Sequence, residues 1–165
     1  VIGGGDQAAD RIVVDCVAAL RAGKPIGVRN PGAVRPWQHV LEPLSGYLRL
    51  GEELLGPQAA DFSEGWNFGP ANESAQSVQQ VVEAILAAWG QGSWERRARP
   101  GDQPEANFLR LAIEKAQSKL GWSPRWNFAT AVAKTVQWYR AQAEGADRAA
   151  LEALTSRQLA EYQRP

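Results

Sequence analysis

A chain of 165 residues, 44% of them apolar, is long enough for one domain with a hydrophobic core, or for a domain with an appendage. Its 18 basic and 18 acidic side chains cancel, so no bulk field attracts nucleic acid or an anionic membrane, and any anion site has to be local. The single cysteine, Cys16, excludes an intrachain disulfide and a cysteine-based zinc cluster. No apolar run approaches the roughly 20 residues of a membrane span and no signal peptide is recognisable, so we expect a cytoplasmic protein.

The first six residues, V-I-G-G-G-D, are typical of a buried strand that ends in a glycine loop. They do not match G-x-G-x-x-G and no complete strand precedes them, so we do not expect a dinucleotide-binding loop here. A natural protein seldom begins in this way, and the chain contains no methionine. We therefore expect the N-terminus to be that of a fragment or a processed piece.

A helix and a short strand are predicted next. Apolar side chains recur at helical spacing over residues 11–22, at Ile12, Val13, Cys16, Val17 and Leu20. Asp10 is expected to cap this helix and Gly23 to end it. Residues 24–28 predict an edge strand, with a proline near its start, where proline is tolerated.

Residues 29–43, R-N-P-G-A-V-R-P-W-Q-H-V-L-E-P, are the most informative stretch of the sequence. Asn-Pro-Gly breaks regular structure, and Arg35 then stands between this turn and a strand-like run. A guanidinium is planar, always charged and able to fork onto phosphate oxygens, so Arg35 predicts an anion-binding loop suited to a diphosphate. The alternative is a surface arginine that pairs with a carboxylate such as Glu42, and the residues alone leave both interpretations open.

His39, the only histidine, invites a role as a general base. No serine, cysteine or acid stands in an arrangement that the sequence can defend, so we do not expect His39 to be catalytic. A helix is predicted over residues 43–55, and the glycine inside it, Gly51, indicates close packing of the helix on a sheet. Its expected apolar face consists of Leu44, Tyr47, Leu48, Leu54 and Leu55.

The second half of the chain alternates turn signals with helices. Residues 64–70 predict a strand that ends in a turn, and Ser77 is expected to cap a helix over residues 78–89. A basic cluster of Arg96, Arg97 and Arg99 then precedes a Pro-Gly-Asp turn, and its interpretations as an anion site or as a solvated loop both stay open. Two further helices are predicted over residues 114–120 and 127–143, before a polar tail.

The sequence as a whole resembles the C-terminal half of the CDP-glucose 4,6-dehydratases, a family of extended short-chain dehydrogenase/reductases. The resemblance is carried by residues 29–43, by W-N-F-G-P at 66–70, by R-P-G-D at 99–102, by L-G-W-S-P at 120–124 and by the terminal run at 155–163. The departures are Gln7 and Ala9 in place of Trp and Glu, a missing histidine before Glu105, and Ala112 in place of a helix-capping Asp.

The resemblance implies an α/β fold in which a few strands of a Rossmann sheet are joined to a small, mostly helical substrate-binding lobe. Residues 1–165 would form the C-terminal substrate-binding portion, with the N-terminal NAD-binding half absent. A CDP-sugar is the implied ligand, and the full-length family uses NAD to convert CDP-glucose to CDP-4-keto-6-deoxyglucose for polysaccharide biosynthesis. The implied diphosphate ligands are Arg35 and Arg99, with Arg11 and Arg29 as further candidates.

The NAD loop and the Y-x-x-x-K pair of the family cannot be placed on any residue of this sequence. We therefore expect that this chain alone binds no cofactor or metal and does not catalyse the reaction. A truncated parallel sheet exposes apolar surface and strand edges, so we expect a homo-oligomer or a partner that supplies the missing half. The alternative function is a non-catalytic, oligomerising remnant of a sugar-nucleotide epimerase or dehydratase.

Overall fold

The computed structural model describes residues 1–97 and 108–164, and over these it has the α/β fold that the sequence predicts. Helices predominate and the strands are short. In the described residues the helices are α1 (Ile12–Arg21), α2 (Leu41–Leu54), α3 (Ala59–Phe62), α4 (Val78–Trp89), α5 (Glu114–Leu120), α6 (Phe128–Ala143) and α7 (Arg148–Gln163). The strands are β1 (Ile26–Val28), β2 (Val34–Pro36), β3 (Ala75–Ser77) and β4 (Trp94–Arg96).

The four strands form two separate pairs. β1 runs parallel to β4, with Ile26 opposite Trp94. β2 runs antiparallel to β3, with Arg35 opposite Gln76. A single parallel bridge joins Ile2 to His39 and fixes the N-terminal segment beside the start of α2. The sheet parts of the described chain are therefore fragments held in place by helices.

Two apolar clusters hold the elements together. The larger one packs α1, β1, α4 and α6 and includes Cys16, Ile26, Val81, Ile85 and Val136. The smaller one lies under α2 and α5 and includes Phe68, Ile113, Ala116, Leu120 and Trp122. Burial raises the pKa of the Cys16 thiol to about 12, so this cysteine is an inert core residue, as its valine neighbours predict.

Several helix boundaries follow the local signals, whereas α2 begins two residues before the predicted Pro43 and the residues predicted as a polar tail form α7. Ser77 caps α4 in a capping box with Gln80, as predicted. Ile113 precedes α5 without a side-chain cap, which matches the loss of the capping aspartate there. The prediction that Asp10 caps α1 is wrong, because Asp10 adopts a left-handed backbone with φ 59° and Arg11 occupies the N-cap position. Aspartate tolerates this conformation because its short polar side chain can bond locally.

The strand predicted over residues 64–70 does not form in the described chain. Residues 65–70 have no regular secondary structure, and they belong to neither strand pair nor to a bridge among the described residues. A strand is defined by a ladder to a neighbour, and the described residues supply none at this position. Phe68 nevertheless fixes the segment, because its ring is buried and its carbonyl accepts a hydrogen bond from Gln38 Nε2 at 2.8 Å.

Helix α2 buries the opposite face from the one its pattern predicts. Glu42, Pro43 and Gly46 are its buried residues, whereas the expected apolar face, from Leu44 to Leu55, is exposed. The expectation that Gly51 marks close packing is wrong as well, since nothing lies within 4 Å of a Cβ built on it. The close approach occurs at Gly46, where a Cβ would lie 2.6 Å or less from three atoms of the Phe68 ring.

A Gly46→Ala substitution is expected to lower the free energy of unfolding by about 2 kcal/mol, because the new methyl overpacks against a buried ring. The matched control is Gly51→Ala in the same helix, where the methyl meets open space. Its better helix propensity should raise the free energy of unfolding by about 0.5–1 kcal/mol. Urea denaturation of both variants measures this difference, and equal effects at the two glycines would contradict it.

Across residues 1–97 and 108–164, no helix combines the length and the apolar character needed to cross a bilayer.

Candidate functional site

A cleft of about 520 Å³ opens between the N-terminal segment, the start of α1, the end of β1 and the loop that leads into β2. This volume lies within the usual range for sites that bind small molecules. Gly27 and Val28 of β1 contribute to its lining, and so do Pro36 and Trp37 beyond the loop. Residues from 29–43, the stretch that the sequence marks as most informative, therefore line the cleft together with the start of α1.

Three of the four predicted arginines line this one cleft. Arg11 stands at the N-cap of α1, Arg29 directly follows β1, and Arg35 is the middle residue of β2. They are separated by up to 24 positions in sequence, and the fold brings them to the same opening. The fourth candidate, Arg99, lies outside the described residues, as do residues 103–106 of the family-like run.

The contacts of Arg29 and Arg35 differ. Arg29 Nη2 lies 3.7 Å from Asp10 Oδ1 in an exposed pair, which is a weak surface interaction. Arg35 is partly buried, and its Nη1 donates to the carbonyl of Val34 at 2.9 Å. This bond ties the guanidinium to the backbone of β2, and Arg35 is one of the residues that line the cleft.

Glu42, which the sequence offered as one possible partner of Arg35, bonds elsewhere. Its carboxylate is fully buried and accepts hydrogen bonds from the backbone N–H groups of Arg125 and Trp126, at 3.0 and 2.7 Å. The hydroxyl of Tyr162 donates to the same carboxylate at 2.8 Å. Glu42 is also absent from the cleft lining, so Glu42 is not the carboxylate that pairs with Arg35.

The start of α1 adds a second source of positive potential to the cleft. Ile12 and Val13 line it, and Arg11 at the N-cap makes no side-chain capping bond. The first N–H groups of a helix have no intrahelical acceptor, and the helix macrodipole favours an anion there. Guanidinium groups and helix amides that converge on one opening have the chemistry of a phosphate site.

Three carboxylates, of Asp6, Asp10 and Asp15, also line the cleft, and the sequence analysis did not predict them as site residues. Partial burial raises the pKa of Asp15, the nearby Asp10 raises it further, and Arg29 opposes both. The three acids balance the three arginines in formal charge. The guanidiniums offer direct contacts to an anion, while the carboxylates are suited to accept hydrogen bonds from hydroxyl or amino groups of a ligand.

Tyr139 of α6 fixes the wall of the cleft. Its hydroxyl donates to the carbonyl of Asp6 at 2.8 Å, and burial raises its pKa. Two glycines of the N-terminal segment serve packing: a Cβ on Gly4 would lie 2.7 Å or less from three atoms of Trp138, and one on Gly3 would lie 2.9 Å from Val40. Val40 and Trp138 occupy the space beside Gly3 and Gly4. This glycine run therefore does not fit the pyrophosphate of a dinucleotide.

His39 is buried away from the cleft. Burial, with a smaller contribution from Lys134, lowers its pKa to about 4, so the imidazole is neutral at pH 7. Its Nδ1 accepts from the N–H of Leu41 at 3.3 Å and its ring lies edge-on to Trp126. This environment supports the expectation that His39 is not catalytic. Among the described residues, no group of three or more His, Cys, Asp or Glu side chains could hold a metal ion.

Comparison with curated proteins gives a clear sequence match. The chain is 41% identical over 147 residues to the CDP-glucose 4,6-dehydratase of Salmonella typhimurium strain LT2, a match that covers 89% of this chain and 41% of that protein. It is a homologue of the nucleotide-sugar 4,6-dehydratases. The dTDP-glucose 4,6-dehydratase of Streptomyces niveus is 31% identical over 107 residues, covering 64% of this chain and 29% of that protein. No protein-family model matches the chain.

Solved structures show the same fold. The dTDP-glucose 4,6-dehydratase of Bacillus anthracis, in complex with NAD, matches with a TM-score of 0.68 at 22% identity, over 92% of this chain and 44% of that one. The UDP-glucuronic acid 4-epimerase of Bacillus cereus, in complex with UDP-glucuronic acid and NAD, matches with a TM-score of 0.69 at 14% identity, over 84% and 42%. The resemblance to the extended dehydrogenase/reductase fold is confirmed, and the chain spans less than half of the relatives it matches.

Proposed function

We propose that this chain is the nucleotide-sugar-binding portion of an enzyme that converts CDP-glucose to CDP-4-keto-6-deoxyglucose in the cytoplasm. The observation that supports it is the convergence of Arg11, Arg29 and Arg35 with the start of α1 on one cleft. The 41% identity to a CDP-glucose 4,6-dehydratase supports the choice of substrate. The alternative of a non-binding, oligomerising remnant is not favoured by that match.

The cleft can bind a nucleoside diphosphate sugar through groups of opposite charge. Arg35, oriented by its bond to Val34, forks onto phosphate oxygens, and the amides at the start of α1 supply further donors. Asp10 and Asp15 can accept hydrogen bonds from hydroxyl or amino groups of the same ligand. The role of this chain is to hold and orient the substrate, which lowers the entropic cost of the reaction.

Solved relatives of this fold are in complex with NAD, but the described residues of this chain do not fit it. The glycine run is packed against Trp138 and Val40, and no Y-x-x-x-K pair exists in the sequence. We therefore assign the cofactor and the catalytic residues to a further, NAD-binding portion.

Calorimetric titration of CDP-glucose into the chain tests this function, with UDP-glucose and dTDP-glucose as controls. We expect saturable 1:1 binding that prefers the cytidine nucleotide, and no ketosugar when NAD and CDP-glucose are incubated with the chain alone. A folded chain that binds none of the three nucleotides would contradict the proposal. Ketosugar formation would show that the catalytic groups lie in this chain.

A further inference from the structure

The three acids that line the cleft differ in their contacts. Asp6 Oδ1 accepts a hydrogen bond from the N–H of Ala8 at 2.9 Å. Asp10 Oδ1 lies 3.7 Å from Nη2 of Arg29. Over residues 1–97 and 108–164, no hydrogen bond or ion pair engages the carboxylate of Asp15. Asp15 is therefore the cleft acid with both oxygens available to a ligand.

The position of Asp15 places it beside the cations of the cleft. It lies in the first turn of α1, and its own N–H donates to the carbonyl of Arg11 at 2.9 Å. Residues four positions apart share one face of a helix, and both residues line the cleft. A ligand whose phosphate meets the guanidinium of Arg11 can therefore present a further group to Asp15.

The carboxylate of Asp15 is more than a charge that stabilises its helix. In the first turn of a helix, the macrodipole favours the ionised form of a carboxyl group. The pKa of Asp15 is nevertheless raised, because partial burial disfavours its charge and Asp10 repels it, although Arg29 opposes both. A carboxylate kept in a cleft against its own solvation is typical of a group that serves a ligand.

An ionised carboxylate can distinguish between the pyrimidine bases, because it only accepts hydrogen bonds. Cytosine carries an exocyclic amino group, a donor, where uracil and thymine carry a carbonyl oxygen, an acceptor. A carboxylate at that position attracts the amino group and repels the carbonyl. Asn30 also lines the cleft, but its amide both donates and accepts, so it does not select one base over the other.

We propose that Asp15 sets the base preference of the cleft by accepting a hydrogen bond from the exocyclic amino group of cytosine. This inference rests on the proposed function. The dehydratase that is 41% identical to this chain is named for CDP-glucose, and the one at 31% is named for dTDP-glucose, which supports a cytosine ligand. Ile12 and Val28 line the same cleft and offer apolar surface to the faces of a planar ring.

Calorimetric titration of CDP and UDP into the chain tests this role, because the two ligands differ only in the base. We expect CDP to bind about 10- to 100-fold more tightly than UDP. In Asp15→Asn the two affinities should come within about threefold of each other, because an amide can donate to the carbonyl of uracil as well as accept from the amino group of cytosine.

Asp61→Asn is the matched control. Asp61 is also an exposed aspartate in the first turn of a helix, α3, but it is absent from the cleft lining. This variant should keep the preference of the unmodified chain for CDP. A second ligand makes the test independent of the folding of any variant. A CDP analogue with hydrogen in place of the amino group should bind the unmodified chain about tenfold more weakly than CDP.

Three results would overturn the role of Asp15. These are a preference for CDP that persists in Asp15→Asn, an analogue that binds as tightly as CDP, and equal binding of CDP and UDP by the unmodified chain. If a folded chain binds none of these nucleotides, nor CDP-glucose, the proposed function fails and this inference fails with it. Nucleotide binding without the expected base preference would contradict the inference alone.

Discussion

Arg35→Ala is expected to weaken CDP-glucose binding by roughly 30-fold or more. Each charge-assisted hydrogen bond to phosphate contributes about 1.5–3 kcal/mol, and 1.4 kcal/mol corresponds to tenfold in affinity. Among the described cleft arginines, Arg35 alone lies within a strand, where its Nη1 donates to the carbonyl of Val34. Arg35→Lys keeps the charge but loses the planar fork, so we expect an intermediate affinity. Calorimetry on the three proteins measures the series.

The control for this series is Arg148→Ala. Arg148 lies on α7, its side chain is 92% exposed, and it pairs with Glu152 at 2.7 Å. Its removal changes net charge by the same amount without touching the cleft, so the affinity should stay within about twofold. Equal losses in both variants would indicate a general charge effect. An unchanged affinity in Arg35→Ala would remove Arg35 from the site.

Glu42→Ala is expected to lower the free energy of unfolding by about 4 kcal/mol, a large part of the about 5–15 kcal/mol typical of a domain. The carboxylate is the shared acceptor for the N–H groups of Arg125 and Trp126 and for the hydroxyl of Tyr162. Each buried donor left without an acceptor costs about 1–3 kcal/mol. The substitution therefore detaches the loop before α6 and the end of α7 from α2.

Two variants calibrate that prediction in urea denaturation. Tyr162→Phe removes one of the three donors and leaves the carboxylate in place, so we expect a loss of about 1–2 kcal/mol. Glu152→Ala removes an exposed carboxylate from α7 and should change the free energy of unfolding by less than about 0.5 kcal/mol. A Glu42→Ala protein within 1 kcal/mol of the unmodified chain would show that water replaces the carboxylate as acceptor.

The candidate site could be predicted in part, because its cations stand next to strong local signals. Arg29 and Arg35 flank an Asn-Pro-Gly turn, and Arg11 opens a periodic helix, so their types and positions were visible. Their meeting in one cleft was only implied by the resemblance. Asp6, Asp10 and Asp15 were not predicted to line the cleft, because aspartates are common in turns and in the first turn of a helix and nothing local marks them as part of a cleft.

What the sequence determined by itself is the position of four helices, whereas α3 and α7 were not predicted and α2 begins two residues before its predicted start. Periodicity and caps act within a few residues, so the predictions for α1, α4, α5 and α6 agree closely with the structure. The cap at Ser77 and the left-handed Gly121 after α5 are local bonds and local backbone preferences. These features do not depend on the rest of the chain.

The tertiary structure alone decided which side of α2 is buried. The leucines of α2 form the stronger apolar pattern, yet the opposite face is buried. On that face Gly46 packs against Phe68, 22 positions away in sequence, and Glu42 accepts a hydrogen bond from Tyr162, 120 positions away. In the same way, segment 65–70 has strand-like residues but no neighbour in the described chain with which to form a ladder. Periodicity identifies an apolar face, but only the position of distant elements determines what covers it.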